Sequence, residues 1–114
     1  MGFIDPGTLA PVAPKPGWHG RFFHSEHMTV GHWEIARNAS DLHEHHHPQE
    51  EVWNVVDGET ILVIENDEHL LRSGDAAIVP ANTRHRVRVT GPCRAIVVDF
   101  PVRLDLPGVG SHVR

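Results

Sequence analysis

The chain has 114 residues, 39% hydrophobic and 22% charged, with a formal net charge of −5 when its histidines are neutral. That length suits one domain with a real core rather than two, and that composition is globular rather than disordered. The negative balance argues against nucleic acid as a partner, since phosphate binding needs a basic surface, and no apolar run approaches the ~20 residues that span a bilayer.

Residues 1–17 carry Pro6, Pro11, Pro14 and Pro16 with Gly7 and Gly17. Proline fixes φ and supplies no backbone donor, so an extended N-terminal arm is expected here, with the folded domain over residues 18–114. The arm lacks a charged region followed by a long apolar one, so no signal peptide is expected. From Phe22 onward the chain reads as short strands separated by turns. Met28 to Ala36 is strand-like, and residues 37–41 turn. Glu51 to Val56 is a strand that the Asp57-Gly58 dipeptide is expected to end. Thr60 to Glu65 is a β-branched and aliphatic run suited to a buried strand. Asn66-Asp67 turns it, His69 to Leu71 returns, Ser73-Gly74-Asp75 turns again, and Ala76 to Val79 runs up to Pro80. His85 to Val89 alternates, with His85, Val87 and Val89 on one face and Arg84, Arg86 and Arg88 on the other, the arginines reading as a solvated outer surface. Gly91-Pro92 turns, Ala95 to Phe100 is the last clear strand, and Pro101 and Pro107-Gly108 close the chain. No helical period survives without a breaker, so the expected fold is all-β, a barrel or sandwich. The lone cysteine, Cys93, permits no intrachain disulfide and suits a reducing cytoplasm. Between Pro92 and an apolar run, it reads as a packed small hydrophobe rather than a nucleophile.

The outlier is histidine. Eleven residues are His, and four fall within residues 43–47, interrupted by Glu44 and followed by Pro48 and two carboxylates. His45 and His47 are two apart, which on a strand puts both imidazoles on one face, roughly 6–7 Å apart. Glu51 lies beyond Pro48, where the chain can bend back and add a hard anionic ligand. Trp53 and Val55 share its parity and are expected to line the same interior. Such a set suits Fe, Mn, Ni or Zn, and its imidazoles must be neutral to bind, so affinity should fall below about pH 6. Two alternatives stay open: a solvated His/Glu-rich loop, and a ligand pair of His43 and His45, although the spacing to Glu51 favours His45 and His47. His46 should face outward. The remaining histidines, His19, His24, His27, His32, His69 and His112, read as surface or hydrogen-bonded core, with His24 or His32 able to reach the pocket as an acid–base group.

His45-x-His47-x3-Glu51-x6-Gly58 resembles the first motif of the cupins. Gly74-x5-Pro80-x-Asn82-x2-His85 resembles the second, and the two span residues 45–58 and 74–89. The likeness covers about residues 28 to 103. It implies a jelly-roll barrel, a double-stranded β-helix, with one divalent metal on His45, His47, Glu51 and His85. The sequence departs from the pattern at Ala39 and Asn82, where glycines are usual, and at Val89, where asparagine is. Asparagine tolerates the left-handed region, so Asn38 and Asn82 are expected to preserve the two turns.

Four protein ligands on an ion that accepts six would leave two positions for substrate. Trp53, Val55, Val63 and Val87, with His43 near the mouth, are expected to line the cavity, which would suit a small organic acid, ketone or phenol. The reading is a metal-dependent enzyme, either an oxygenase or a Lewis-acid isomerase, decarboxylase or lyase. The alternatives are a non-enzymatic ligand-binding or sensing module, for which the chain carries no helix-turn-helix, and a storage role, which an intact ligand set disfavours. A small open-edged barrel usually covers an edge strand, so a homodimer is expected, with the N-terminal arm a candidate for exchange.

Overall fold

The computed structural model describes residues 2–104. The expected closing turn at Pro107-Gly108, the last stretch of the expected domain and His112 lie outside the described residues.

A 3-10 turn, Pro6–Thr8, is capped by Asp5, whose carboxylate accepts from the Gly7 amide at 2.9 Å. Nine strands follow: β1 (Val12–Lys15), β2 (Trp18–His24), β3 (Thr29–Ile35), β4 (Leu42–His45), β5 (Glu50–Ile64), β6 (Asp67–Arg72), β7 (Ala76–Val79), β8 (His85–Arg88) and β9 (Cys93–Phe100). Part of the arm is therefore a strand, and β1 pairs antiparallel with β2 of its own chain. Among the described residues no helix is long and apolar enough to cross a membrane.

The organising element is β5. Its first half, from Glu50, lies between β9 and β7, and its second half, to Ile64, lies between β6 and β8. One strand thus belongs to two sheets, β1-β2-β3-β9-β5-β7 and β6-β5-β8-β4, and curls them into a jelly-roll barrel. Asp57-Gly58 does not end the strand as expected. The register against β9 shifts between Val55 and Asp57, and Gly58 sits at φ +78, so the dipeptide forms a bulge that bends the strand from one sheet into the other.

The bulge also changes which residues face inward. Glu51, Trp53 and Val55 are buried before it, and Thr60 and Leu62 after it. Those residues join Trp18, Ile35, Val79, Val87, Ala95 and Val97 in the interior. Cys93 is buried among them, and burial, followed by the nearby Asp57 and Glu59, pushes its thiol up to about 11. It is an inert packed side chain, as its setting predicts.

Both unusual turn positions have a physical outcome. Asn82 adopts φ 59 and takes the place of a glycine. Asn38 does not: among the described residues, the positive-φ positions other than glycine are Glu65 and Asn82. Gly17, in the turn between β1 and β2, sits at φ +82 and packs so closely on Ala39 that a Cβ there would lie 2.6 Å from the Ala39 Cα.

Candidate metal centre

One end of the barrel gathers the chemistry. His45 is the last residue of β4 and lies opposite His85, the first residue of β8. His47 is outside any strand, in the loop leading to β5, so the two motif histidines do not share one continuous strand. Their loop is tied down instead, because the His47 carbonyl accepts from the Asn82 amide at 2.8 Å. Glu51, at the start of β5, lies opposite Asp99 of β9 and Val79 of β7.

The rings of His45 and His85 are 4.2 Å apart between centroids, those of His47 and His85 5.0 Å, and those of His45 and His47 5.7 Å. Ligand atoms of the three histidines all fall within 4.8 Å of one another, and so do those of His47, Glu51 and Asp99. Glu51 spans both groups, with Oε2 3.1 Å from His47 Nε2 and Oε1 3.6 Å from His85 Nε2.

The protonation pattern follows from the far side of each ring. Nδ1 of His45 lies 2.8 Å from the His43 carbonyl, Nδ1 of His47 3.0 Å from the Gln49 carbonyl, and Nδ1 of His85 2.8 Å from the Thr83 carbonyl. A carbonyl only accepts, so each Nδ1 carries the proton, and in the neutral ring Nε2 is left as a lone pair. Three imidazoles thus direct an acceptor toward a buried carboxylate that is itself an acceptor. His85 Nε2 is buried and has no hydrogen-bond partner among the described residues. With the rings neutral, a cation between them relieves the meeting of acceptors, whereas a second proton on His47 would let its Nε2 donate to Glu51 Oε2. Adjacent ligands on an ion with bonds near 2.1 Å stand about 3 Å apart, close to the observed 3.1 Å. Backbone carbonyls that orient the rings are the usual support of a metal-ligating histidine. The donor set fits a divalent transition metal.

Electrostatics prepare the same site. Burial alone would raise the Glu51 carboxyl, but hydrogen bonds from His47, Asp99 and Trp53 and the His85 ring outweigh it and hold it at about 2. The Trp53 bond is short, Nε1 to Oε1 2.6 Å. Burial holds His85 below the ordinary imidazole value, against the opposing pull of the Thr83 carbonyl and Glu51. Both shifts make the metal-free protein acid-sensitive. The unfolded state takes up a proton on His85 near the ordinary 6.5 while the folded state resists it. It does the same at Glu51 near 4.5, where the folded state holds out to about 2. Stability is therefore expected to fall as pH drops below about 6.5 and to fall further between about 4.5 and 2. Urea midpoints of metal-free protein taken across that range check this, and a flat profile down to about pH 3 would contradict it.

A cavity of about 330 Å³ opens onto the cluster, lined by Trp18, Trp33 and Trp53 on the apolar side and by His45, Glu51, Asp99, Arg103 and Lys15 on the polar side. Trp53 and His43 are among its lining residues, His43 with an exposed side chain outside the cluster. Val55, Val63 and Val87 are not among its lining residues. Val55 and Val87 face inward but belong to the close-packed core, where Val55 lies opposite Ala95 and Val87 opposite Leu62. Val63 is buried, but register places it on the face that carries Glu68 and Arg86, opposite to Leu62 and Ile64. His46 is exposed, as expected. Neither acid–base candidate lines the cavity. His24 bonds Thr29 Oγ1 at 2.8 Å. His32 lies on the outer face beside Arg94, held below its ordinary value by burial and then by that cation. A larger cleft of about 560 Å³ lies under residues 6–11, away from the cluster.

Two residues were not anticipated. Asp99 is buried across from Glu51, and Arg103 places Nη1 3.7 Å from Glu51 Oε2 and 3.9 Å from Asp99 Oδ2. Asp99 had a readable signal, since it keeps the inward parity of Cys93, Ala95 and Val97. Arg103 had none, because it follows the last strand.

A jelly-roll barrel with a histidine–carboxylate cluster at one end defines a cupin architecture with a candidate metal centre. The model for the cupin domain matches residues 31–99, and the chain belongs to the cupin family. No curated protein matches it. Among solved structures it resembles KdgF from Halomonas sp., with 21% identity and a TM-score of 0.84 over 92% of this chain and 97% of that one. An RmlC-like cupin from Shewanella frigidimarina gives 19% and 0.84, over 92% and 95%. The polyketide cyclase RemF from Streptomyces resistomycificus gives 21% and 0.73, over 88% and 79%.

Proposed function

We propose that this cupin is a metal-dependent enzyme that holds one divalent transition metal, Fe, Mn, Ni or Zn, on His45, His47, His85 and Glu51. Its substrate is a small organic molecule bound in the adjoining cavity. The observation that carries the reading is the convergence of three imidazoles on one buried, ionised carboxylate beside a tryptophan-walled space. The metal would supply Lewis acidity toward a substrate oxygen, and iron would open oxygen chemistry.

The chain's own residues divide the remaining work. Trp53 holds Glu51 in one orientation through its indole N–H. Trp18, Trp33 and Leu42 exclude bulk water and offer flat apolar walls to a ring or chain. Lys15 and Arg103 place two cations at the polar side, which favours a substrate bearing a carboxylate or phenolate. Asp99 and Glu51 share a side-chain hydrogen bond, and Glu51 is held at about 2. A bond between two carboxyl groups needs one proton, and the Glu51–Asp99 pair shares it at the cavity wall, beside a bound substrate. A cyclase carried on the same barrel, as in RemF, is in keeping with catalysis in this space. The lone buried thiol is in keeping with a cytoplasmic setting.

The test is turnover of a panel of small carbonyl and phenolic acids by protein loaded in turn with each metal, followed by oxygen uptake and by substrate loss. Oxygen consumption with iron alone assigns an oxygenase, and substrate loss without it assigns the isomerase, decarboxylase or lyase branch. Binding of panel members without turnover under any metal would sink the enzymatic reading and leave a ligand-binding module.

A further inference from the structure

The cleft of about 560 Å³ under residues 6–11 takes no part in the metal centre, yet its size is that of a small-molecule site. Its floor is the outer face of β2, β3 and β9. Register sets Arg21, His32 and Ile96 in one row across these strands, and His19, Glu34 and Arg94 in the next. Its roof is the N-terminal segment, where Pro6, Gly7 and Pro11 close over the strands. The roof is fastened at three points. Asp5 caps the Pro6–Thr8 turn, Arg21 Nη1 donates to the carbonyls of Gly7 and Leu9, and Val12 pairs with Gly20. Two prolines with fixed φ stiffen it further, so a ligand entering beneath need not order it.

The lining divides into an apolar half and a polar half. Ile96, Val56 and the rings of Pro6 and Pro11 make the first. Arg94 and His32 lead the second. Arg94 stands across from Glu34 in β3 and Asp57 in β5. Neither carboxylate reaches it within ion-pair distance, and among the described residues its guanidinium makes no hydrogen bond, whereas Arg84, Arg88 and Arg103 all meet carboxylates. His32 is held below its ordinary value by burial and then by Arg94, so at neutral pH the ring is uncharged and offers one N–H and one lone pair. Arg21 and Arg94 against Glu34 leave the lining one positive charge in excess, in a chain whose net charge is −5.

We propose that this cleft is a second ligand site, separate from the metal cavity, for a small amphipathic monocarboxylate, held by Arg94 and His32 at its charged end and by Ile96 and Val56 along its apolar body. A guanidinium meets a carboxylate in two parallel hydrogen bonds, and an unpaired one is the group such a ligand needs. The apolar half gives a ring or short chain surface to bury. Glu34 and Asp57 flank Arg94, and Arg21 is engaged with the roof, so a dianion such as phosphate meets repulsion without a second cation to offset it. The site lies on the outside of the sheet and does not depend on what the metal centre does.

The experiment titrates 2-naphthoate into the full-length, zinc-loaded, 15N-labelled protein, with 2-naphthamide and inorganic phosphate in parallel. Trp33 borders both spaces, so indole fluorescence does not tell them apart, but backbone amide shifts do. Amides of Arg21, His32, Arg94 and Ile96 report the cleft, and those of Lys15, Trp53 and Asp99 report the metal cavity. 2-Naphthoate is expected to move the cleft set saturably with a Kd of about 1 mM or tighter, and 2-naphthamide and phosphate to bind there at least about tenfold more weakly. Arg94→Gln, at an exposed position, is expected to weaken the cleft binding by at least about tenfold while metal content, melting midpoint and any shifts in the metal-cavity set stay as in wild type. Shifts confined to the metal-cavity set would overturn the proposal. So would phosphate or 2-naphthamide binding the cleft as tightly as 2-naphthoate, or a folded Arg94→Gln protein that binds like wild type.

Discussion

Replacing His85 with alanine is expected to strip the protein of most of its metal while leaving the barrel folded. The ring is 1% exposed, and its Nε2 has no hydrogen-bond partner among the described residues, so in the absence of a cation that atom is a cost to the fold rather than a support. Truncation leaves a cavity worth about 2–4 kcal/mol, a cost partly offset by removing a buried, unsatisfied acceptor. The strand pairing that holds β8 is made by backbone atoms against β5 and does not depend on the ring. Metal affinity is expected to drop by about 100-fold or more, beyond what loss of an outer supporting bond produces. Elemental analysis of protein purified without added metal checks this, alongside a thermal melt. Full metal occupancy in a folded His85→Ala protein would contradict the assignment.

The second large effect is expected at Gly58. A Cβ there would stand 2.0 Å from the Pro92 carbonyl oxygen, and the residue sits at φ +78, where side chains are disfavoured. Backbone strain alone costs about 1–2 kcal/mol. The contact cannot be relieved by rotating a side chain, because the obstacle is main chain of the segment entering β9, so the β5–β9 pairing must open at the bulge. Gly58→Ala is expected to cost about 3 kcal/mol or more and to lower the melting midpoint by at least about 12 °C. Because β5 carries Glu51 on one side of the bulge and pairs with His85 on the other, metal binding should weaken with it. A melting midpoint within about 3 °C of wild type would show that the bulge is not the hinge on which the two sheets meet.

The four residues of the cluster were legible because their spacing is a local property of two motifs, and the turn residues around them say where the chain must bend. What spacing could not supply was the phase of the strand beyond the bend. Counting by twos from Glu51 through Trp53 and Val55 arrives at Val63. The bulge at Val55–Asp57 inserts one extra residue, and from there Thr60, Leu62 and Ile64 point inward instead. Asp57-Gly58 carries the same dipeptide chemistry for a hairpin turn and for a bulge, and only the partners of the flanking strands distinguish them. Asp99 was hidden for a different reason. Its inward parity in β9 is plain, but nothing local shows that β9 runs beside β5 and sets it against Glu51. His32 stood in the right strand with the wrong parity, one residue from Trp33 and therefore on the opposite face.

The claim on which the rest depends is that one cation sits among His45, His47, His85 and Glu51. X-ray absorption at the metal edge of the loaded protein, paired with anomalous diffraction from the same preparation, tests it most directly. The account predicts a single site with three imidazole nitrogens and a carboxylate oxygen of Glu51 at about 2.0–2.2 Å. An anomalous peak elsewhere, such as on the exposed His43 and His46, with the four inner side chains unliganded, would contradict it.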